Sequence, residues 1–221
     1  FNAITPGELY HVVSEMACEG CGVCHLVCPV GAVELDDHVS GQWMLSGSKY
    51  GPLAHARLGI AEENSGKLVA KVKDEAHSIN NLHGHDRMLV DGPPGTGCPV
   101  ISSISGVHLA LIVTEPTIAG FHDLDRVMQL TNYFNVPAMV CINKYDLDVD
   151  FTHMIEAYCQ EHNIAFAGKI PFDKEVVFSL TKGLPAVEGH GDSRTQDRNN
   201  AAFAIKALWK NVAEYLRTVS D

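Results

Sequence analysis

Arg87-Met88-Leu89-Val90-Asp91-Gly92-Pro93-Pro94-Gly95-Thr96-Gly97-Cys98-Pro99 decides how the rest of the chain is read. An apolar run closed by an aspartate opens into a loop of glycine and proline, which predicts a short buried strand over 87–91 feeding a turn with unusual backbone angles. Gly92 to Gly97 fits the spacing G-x-x-x-x-G of a Walker A phosphate loop, but Cys98 and Pro99 stand where Lys and Ser or Thr are needed. Cys98 brings no positive charge and Pro99 no amide, so this loop is not the phosphate cradle. The stretch fits the other half of a phosphate site. Asp91 is a Walker B type of carboxylate for Mg²⁺, and the amide of Gly95 is placed to sense a γ-phosphate. A plain Gly/Pro turn after a parallel strand is the alternative.

Working outward, strands and helices alternate on the C-terminal side. Apolar runs at 87–91, 108–114, 137–143 and 164–170 are expected strands, separated by amphipathic helices at about 121–134, 151–162 and 199–218. That pattern predicts an α/β domain with a mostly parallel sheet and helices on both faces. Ligands of such sheets bind at the carboxyl ends of the strands, where Asp91, Glu115 and Asn143 fall. Asn143-Lys144-Tyr145-Asp146 fits N-K-x-D, a pattern in which Asp accepts from a guanine ring while Asn and Lys hold the base. A strand end followed by a polar loop explains the same residues. The next expected strand runs into Pro171-Phe172-Asp173 at the same rim.

On the N-terminal side, Cys18-Glu19-Gly20-Cys21-Gly22-Val23-Cys24-His25-Leu26-Val27-Cys28-Pro29 has the spacing C-x₂-C-x₂-C-x₃-C-P of bacterial ferredoxins. Cys18, Cys21 and Cys24 can wrap one face of a 4Fe-4S cubane, with Gly20 and Gly22 letting amides approach. In two-cluster ferredoxins the fourth cysteine, here Cys28, serves the other cluster. Zinc is the alternative, although zinc modules set two cysteine pairs a dozen or more residues apart. Val30-Gly31-Ala32-Val33 echoes Phe1-Asn2-Ala3-Ile4, so a first cysteine run is expected just upstream of Phe1, in a longer protein. Of the other cysteines, Cys141 and Cys159 read as small buried hydrophobes, and Cys98 stays open. His83-Gly84-His85 reads as a solvated turn.

Between these parts, residues 34–59 are rich in Gly, Ser, Asp and His and are expected to form strands or loops. Ser65 is placed to cap a helix carrying Leu68, Val69, Val72, Ala76, Ile79 and Leu82 on one face. Ser65-Gly66-Lys67 resembles the end of a phosphate loop, but Leu68 replaces the required Ser or Thr.

Composition bounds the rest. A chain of 221 residues can bury a sizeable core in one or two domains. With 16 Lys plus Arg against 27 Asp plus Glu, the net charge of -11 argues against nonspecific nucleic-acid binding. No uninterrupted apolar run is long enough to span a membrane and no leader pattern is visible, from which a cytoplasmic location is expected. Clustered cysteines then point to metal, not disulfides.

Together these residues resemble the MinD and Mrp type of P-loop ATPase, in the branch with a ferredoxin domain inserted after the first phosphate loop. The likeness rests on the cysteine run, Glu62 to Val69, Asp91 to Gly95, Thr114 to Thr117, Asn143 to Leu147 and Ile170 to Asp173, in that order. It implies a ferredoxin-like module over 1–45 and a MinD-like ATPase domain over 46–221 that lacks its first strand and Walker A loop. It further implies Mg²⁺ linked to Asp91, a switch amide at Gly95, and adenine held by Asn143 with Lys144, Pro171 and Asp173 beside it, hence ATP in place of GTP. A homodimer in the full-length protein and a redox or cluster-accepting protein partner follow from the same likeness. Without a Walker A loop, this chain alone is expected to bind ATP weakly and to hydrolyse it no faster than background. A plain electron carrier, or a GTPase reading N-K-x-D, are the competing functions.

Overall fold

The computed structural model describes residues 2–14, 17–18, 20–37, 39–59, 66–189 and 200–219. Ser65, expected as a helix cap, and Glu62 to Asn64 lie outside them. The chain forms two compact units, one of Phe1–Asn64 with Asp74–Gly84 and one of Ser65–Lys73 with His85–Asp221.

The first unit is built from short pieces. Strands β1 (Ile4–Pro6) and β2 (His11–Val13) pair antiparallel, and helix α1 (Val23–Val27) follows the cysteine run. Strands β3 (Gly41–Ser48) and β4 (Gly51–Leu58) form a hairpin, so within residues 34–59 the strand reading holds from Gly41 to Leu58. Ser48 closes the turn: its hydroxyl donates to the Gly51 carbonyl at 2.7 Å and accepts from the Tyr50 amide at 3.2 Å. Alternation puts Trp43, Leu45, Ala54 and Ala56 on one face, and Ser46 with His55 on the other, their Oγ and Nε2 2.9 Å apart.

The second unit carries the sheet. Helix α2 (Gly66–His83), whose first half belongs here, is followed by α3 (Cys98–Ile104). Strands β5 (Ala110–Thr114), β6 (Ala138–Asn143) and β7 (Ala165–Ile170) lie parallel in that order, with α4 (Ile118–Tyr133) and α5 (Val149–Glu161) as crossovers. Helices α6 (Lys174–Thr181), α7 (Ala186–Gly189) and α8 (Ala201–Val219) complete it. Strand β6 is apolar on both faces because both are covered. Val140 and Ile142 pack on Leu124 and Met128 of α4 and Ile155 and Cys159 of α5, whereas Met139 and Cys141 pack with Ala167 against Leu208 and Val212 of α8. This is the expected α/β architecture.

One expected strand is absent. Residues 87–91 run as irregular backbone with Leu89 88% exposed, and among the described residues β5 pairs only with β6. An apolar run becomes a strand only when a neighbouring strand pairs with it, and among the described residues none does. Four helices escaped the sequence reading, the short α1 and α7 together with α3, whose start is marked by Pro99 in its first turn, and α6, capped by Asp173.

Lys73 closes the C-terminal end of α3. Its ammonium donates to the carbonyls of Ser102 at 2.9 Å, Ser103 at 3.1 Å and Ser105 at 2.6 Å. All three donors of a lysine are thereby used on carbonyls at the negative end of a helix. Ser102 in turn donates to the Gly66 carbonyl at 2.8 Å. Replacing Lys73 with Met leaves those carbonyls without their charged donor, and we expect a loss of about 2 kcal/mol. Denaturant unfolding followed by the fluorescence of Trp209, in the second unit, checks it; an unchanged midpoint would show that water replaces the ammonium at no cost.

Candidate functional site

The cysteine run folds around its glycines. Gly20 and Gly22 take left-handed backbone angles, φ 62° and 73°, and Gly22 caps α1 by accepting from the Leu26 amide at 3.2 Å. A side chain is strained at such angles. This bend places Cys18, Cys21 and Cys24 on the wall of a cavity of about 300 Å³, together with Gly20, Gly22 and the apolar Ile4, Val13, Val23 and Leu35. Three thiols, two Cβ-free positions and an apolar wall suit a body larger than one ion. Among the described residues no three His, Cys, Asp or Glu side chains form a group that could hold a metal ion. Sulfur donors select soft metals and iron–sulfur clusters, so these residues fit a cluster.

Cys28 is not among the lining residues. Its sulfur accepts from the Ala32 amide at 3.2 Å. That amide, with those of Val30, Gly31 and Val33, holds the thiol below its ordinary range. Cys28 thus stands outside the lining of the cavity shared by the first three, with backbone amides favouring its charged form. Cys141 and Cys159 behave in the opposite way: burial pushes them up to about 12 and about 11, which leaves them protonated and inert. Cys98 is exposed at the start of α3.

The second candidate site lies at the carboxyl ends of the strands. Thr114 ends β5, and its hydroxyl donates to the Gly120 carbonyl at 2.8 Å, while Thr117 caps α4 by accepting from the Gly120 amide at 3.0 Å. Gly120 tolerates nothing larger, since a Cβ there would lie 2.5 Å from the Glu115 carbonyl oxygen. Asn143 ends β6 opposite Ile170 of β7. Lys144 follows in a left-handed conformation, φ 54°, strained for a residue with a side chain, and its ammonium meets Glu115 at 2.6 Å. Asp146 accepts from the Phe172 amide at 2.7 Å. Asp173 accepts from the amides of Glu175 at 2.9 Å and Ala201 at 3.1 Å, so one carboxylate serves the starts of both α6 and α8. The structure therefore gathers Glu115, Asn143, Lys144, Asp146, Pro171 and Asp173 on one rim.

Asp91 and Gly95 sit apart from these contacts. Both lie on the irregular segment before α3, and Gly95 has φ 87° with no atom within 4 Å of where a Cβ would stand. Arg126 of α4 donates to the Thr96 hydroxyl at 2.8 Å and ties this segment to the helix that follows β5. Among the described residues no hydrogen bond joins Asp91 or Gly95 to Asn143, Lys144, Pro171 or Asp173. Sequence reasoning missed the Glu115–Lys144 pair and the Asp146–Phe172 bond. Both link side chains across loops far apart in the chain, which no local pattern signals. No helix of the described residues is long and apolar enough to cross a membrane.

Residues 66–207 match the ParA family model of NUBPL iron-transfer P-loop NTPases, and residues 11–34 match a 4Fe-4S binding domain. An uncharacterised protein of Methanocaldococcus jannaschii is 36% identical over 75% of this chain and 52% of its own length. The iron-sulfur cluster carrier protein of Pyrococcus horikoshii is 28% identical over 55% of this chain and 45% of its own. The chain spans about half the length of the curated relatives it matches. Among solved structures, the MinD cell division protein of Aquifex aeolicus superposes with a TM-score of 0.53 at 22% identity, over 77% of this chain and 68% of that one. The septum site-determining protein MinD of Pyrococcus horikoshii, in complex with Mg-ADP, gives 0.54 at 20% identity, over 72% and 60%. These two likenesses concern the fold. The chain belongs to the family of NUBPL iron-transfer P-loop NTPases, of the MinD and Mrp type, with a 4Fe-4S binding domain preceding the NTPase region.

Proposed function

We propose that the protein delivers an iron–sulfur cluster to an acceptor protein and that ATP governs the delivery. The observation that carries this reading is the cavity lined by Cys18, Cys21 and Cys24 in a chain of an iron-transfer NTPase family. The cluster is the cargo, held by those thiolates, and Cys28 serves a neighbouring cluster. In the whole protein, Asp91 holds Mg²⁺ through its carboxylate, the Gly95 amide senses the γ-phosphate, and Asn143 holds adenine with Lys144 and the Pro171–Asp173 loop beside it. The whole protein acts as a homodimer in the cytoplasm. The ion and the triphosphate supply the energy difference between two states; the residues named here only bind and orient.

The test is transfer itself. Anaerobically reconstituted protein, extended to its full coding length, is mixed with an apo ferredoxin as acceptor, and the appearance of holo-ferredoxin is followed by circular dichroism with and without Mg-ATP. Delivery accelerated by ATP is expected. A cluster that stays on the protein and passes single electrons to a soluble dye, indifferent to ATP, would instead establish an electron carrier.

A further inference from the structure

We infer that Asp146, the aspartate of Asn143-Lys144-Tyr145-Asp146, is a positioning residue that ties the loop after β6 to the loop after β7, and is not the group that reads the nucleotide base. This rests on the proposal that a nucleotide lies at this rim. A carboxylate that reads guanine must offer its oxygens outward to the ring N–H and the exocyclic amine. Asp146 spends Oδ1 on the Phe172 amide, at the 2.7 Å of a short charge-assisted bond. The bond does not stand alone. Tyr145 donates its amide to the Ile170 carbonyl at 3.2 Å, Leu147 donates back to Lys144 at 3.1 Å, and the Thr152 hydroxyl donates to the Tyr145 carbonyl at 2.8 Å. The loop is therefore fixed to β7 on one side and to α5 on the other, with Asp146 at the junction.

Lys144 is committed in the same way. In a base-reading motif its stem lies along the base, whereas here its ammonium is paired with Glu115 at the end of β5. Both charged members of the motif thus hold neighbouring strand ends together, β5 to β6 through Lys144 and β6 to β7 through Asp146. Such braces fix the rim within which Asn143 stands. Base discrimination then falls to Asn143 and to backbone groups of the 171–173 loop.

Two variants of the full-length protein separate the roles. In Asp146→Asn the carboxamide oxygen still accepts from Phe172, so the brace survives; in Asp146→Ala it is lost. Without nucleotide, hydrogen exchange at the Phe172 amide is expected to stay slow in Asp146→Asn and to rise about tenfold or more in Asp146→Ala, as a lost protecting bond requires. Competition binding with ATP, GTP and xanthosine triphosphate supplies the second readout. Asn donates where Asp accepted, so a base-reading aspartate turned into Asn must lose GTP and gain the xanthine nucleotide, whose 2-carbonyl accepts. For a brace, Asp146→Asn keeps the order of the three nucleotides and Asp146→Ala weakens all three by a similar factor. A switch towards xanthosine triphosphate, or equal exchange at Phe172 in all three proteins, overturns the inference. Should the unaltered protein bind no nucleotide, the proposed function fails, while exchange at Phe172 still decides whether the brace exists.

Discussion

Cys21→Ser costs anaerobically reconstituted protein the cluster that Cys21 helps to hold, and the visible iron–sulfur absorption of that cluster is lost. Cys21 stands between the two left-handed glycines and lines the cavity with Cys18 and Cys24. A serine hydroxyl there is not ionised at neutral pH and offers hard oxygen where soft thiolate sulfur holds iron–sulfur centres. With one of three thiols of the wall gone, the remaining two do not retain a cubane, and iron and acid-labile sulfide fall together. Cys28→Ser is expected to be milder in the same assay, because Cys28 lies outside the cavity lining. Metal and sulfide analysis of both variants against the parent checks it. Equal losses would make Cys28 the fourth ligand of the same cluster, and stoichiometric zinc without sulfide in the parent would remove the iron–sulfur reading altogether.

The second large effect is on the fold. Ile142 is fully buried at the centre of the sheet, paired with Thr114 of β5 and Lys169 of β7, and packed in the cluster of Leu124, Met128 and Ile155. Truncation to Ala removes apolar contact and leaves a cavity bounded by two strands and two helices, where relaxation is limited. The expected cost is about 2–5 kcal/mol, or a fall of roughly 5–15 °C in the melting temperature of the second unit. Because the chain forms two units, the transition should be followed by tryptophan fluorescence in a Trp43→Phe background, which leaves Trp209 as the reporter. A shift under about 1 kcal/mol would mean that the sheet collapses around the change, contrary to close packing. Ile142 also precedes Asn143, so the same variant loosens the rim.

Much of this was legible in the residues. The strands β5, β6 and β7 announce themselves because a parallel sheet covered on both faces needs uninterrupted apolar runs, and the helices between them carry their periodicity openly. The cysteine spacing is equally local. What could not be read depends on neighbours. Residues 87–91 have the composition of a strand, yet composition does not say whether another strand lies alongside. Helix α3 hid in a glycine and proline segment whose Pro99 reads as a breaker until it is placed in a first turn. Lys144 and Asp146 carry a familiar spacing, but their partners, Glu115 and Phe172, come from other loops. Lys73 finds its three carbonyls about thirty residues away, a relation that periodicity does not encode.

The division among the cysteines has a practical consequence for labelling chemistry. Cys141 and Cys159 are buried and keep their protons well above neutral pH, so a maleimide or iodoacetamide added to the folded protein passes them by. Exposed Cys98 reacts whatever the state of the cavity, and serves as an internal standard. The mass added at Cys18, Cys21 and Cys24 then counts, molecule by molecule, how many chains are empty of cargo.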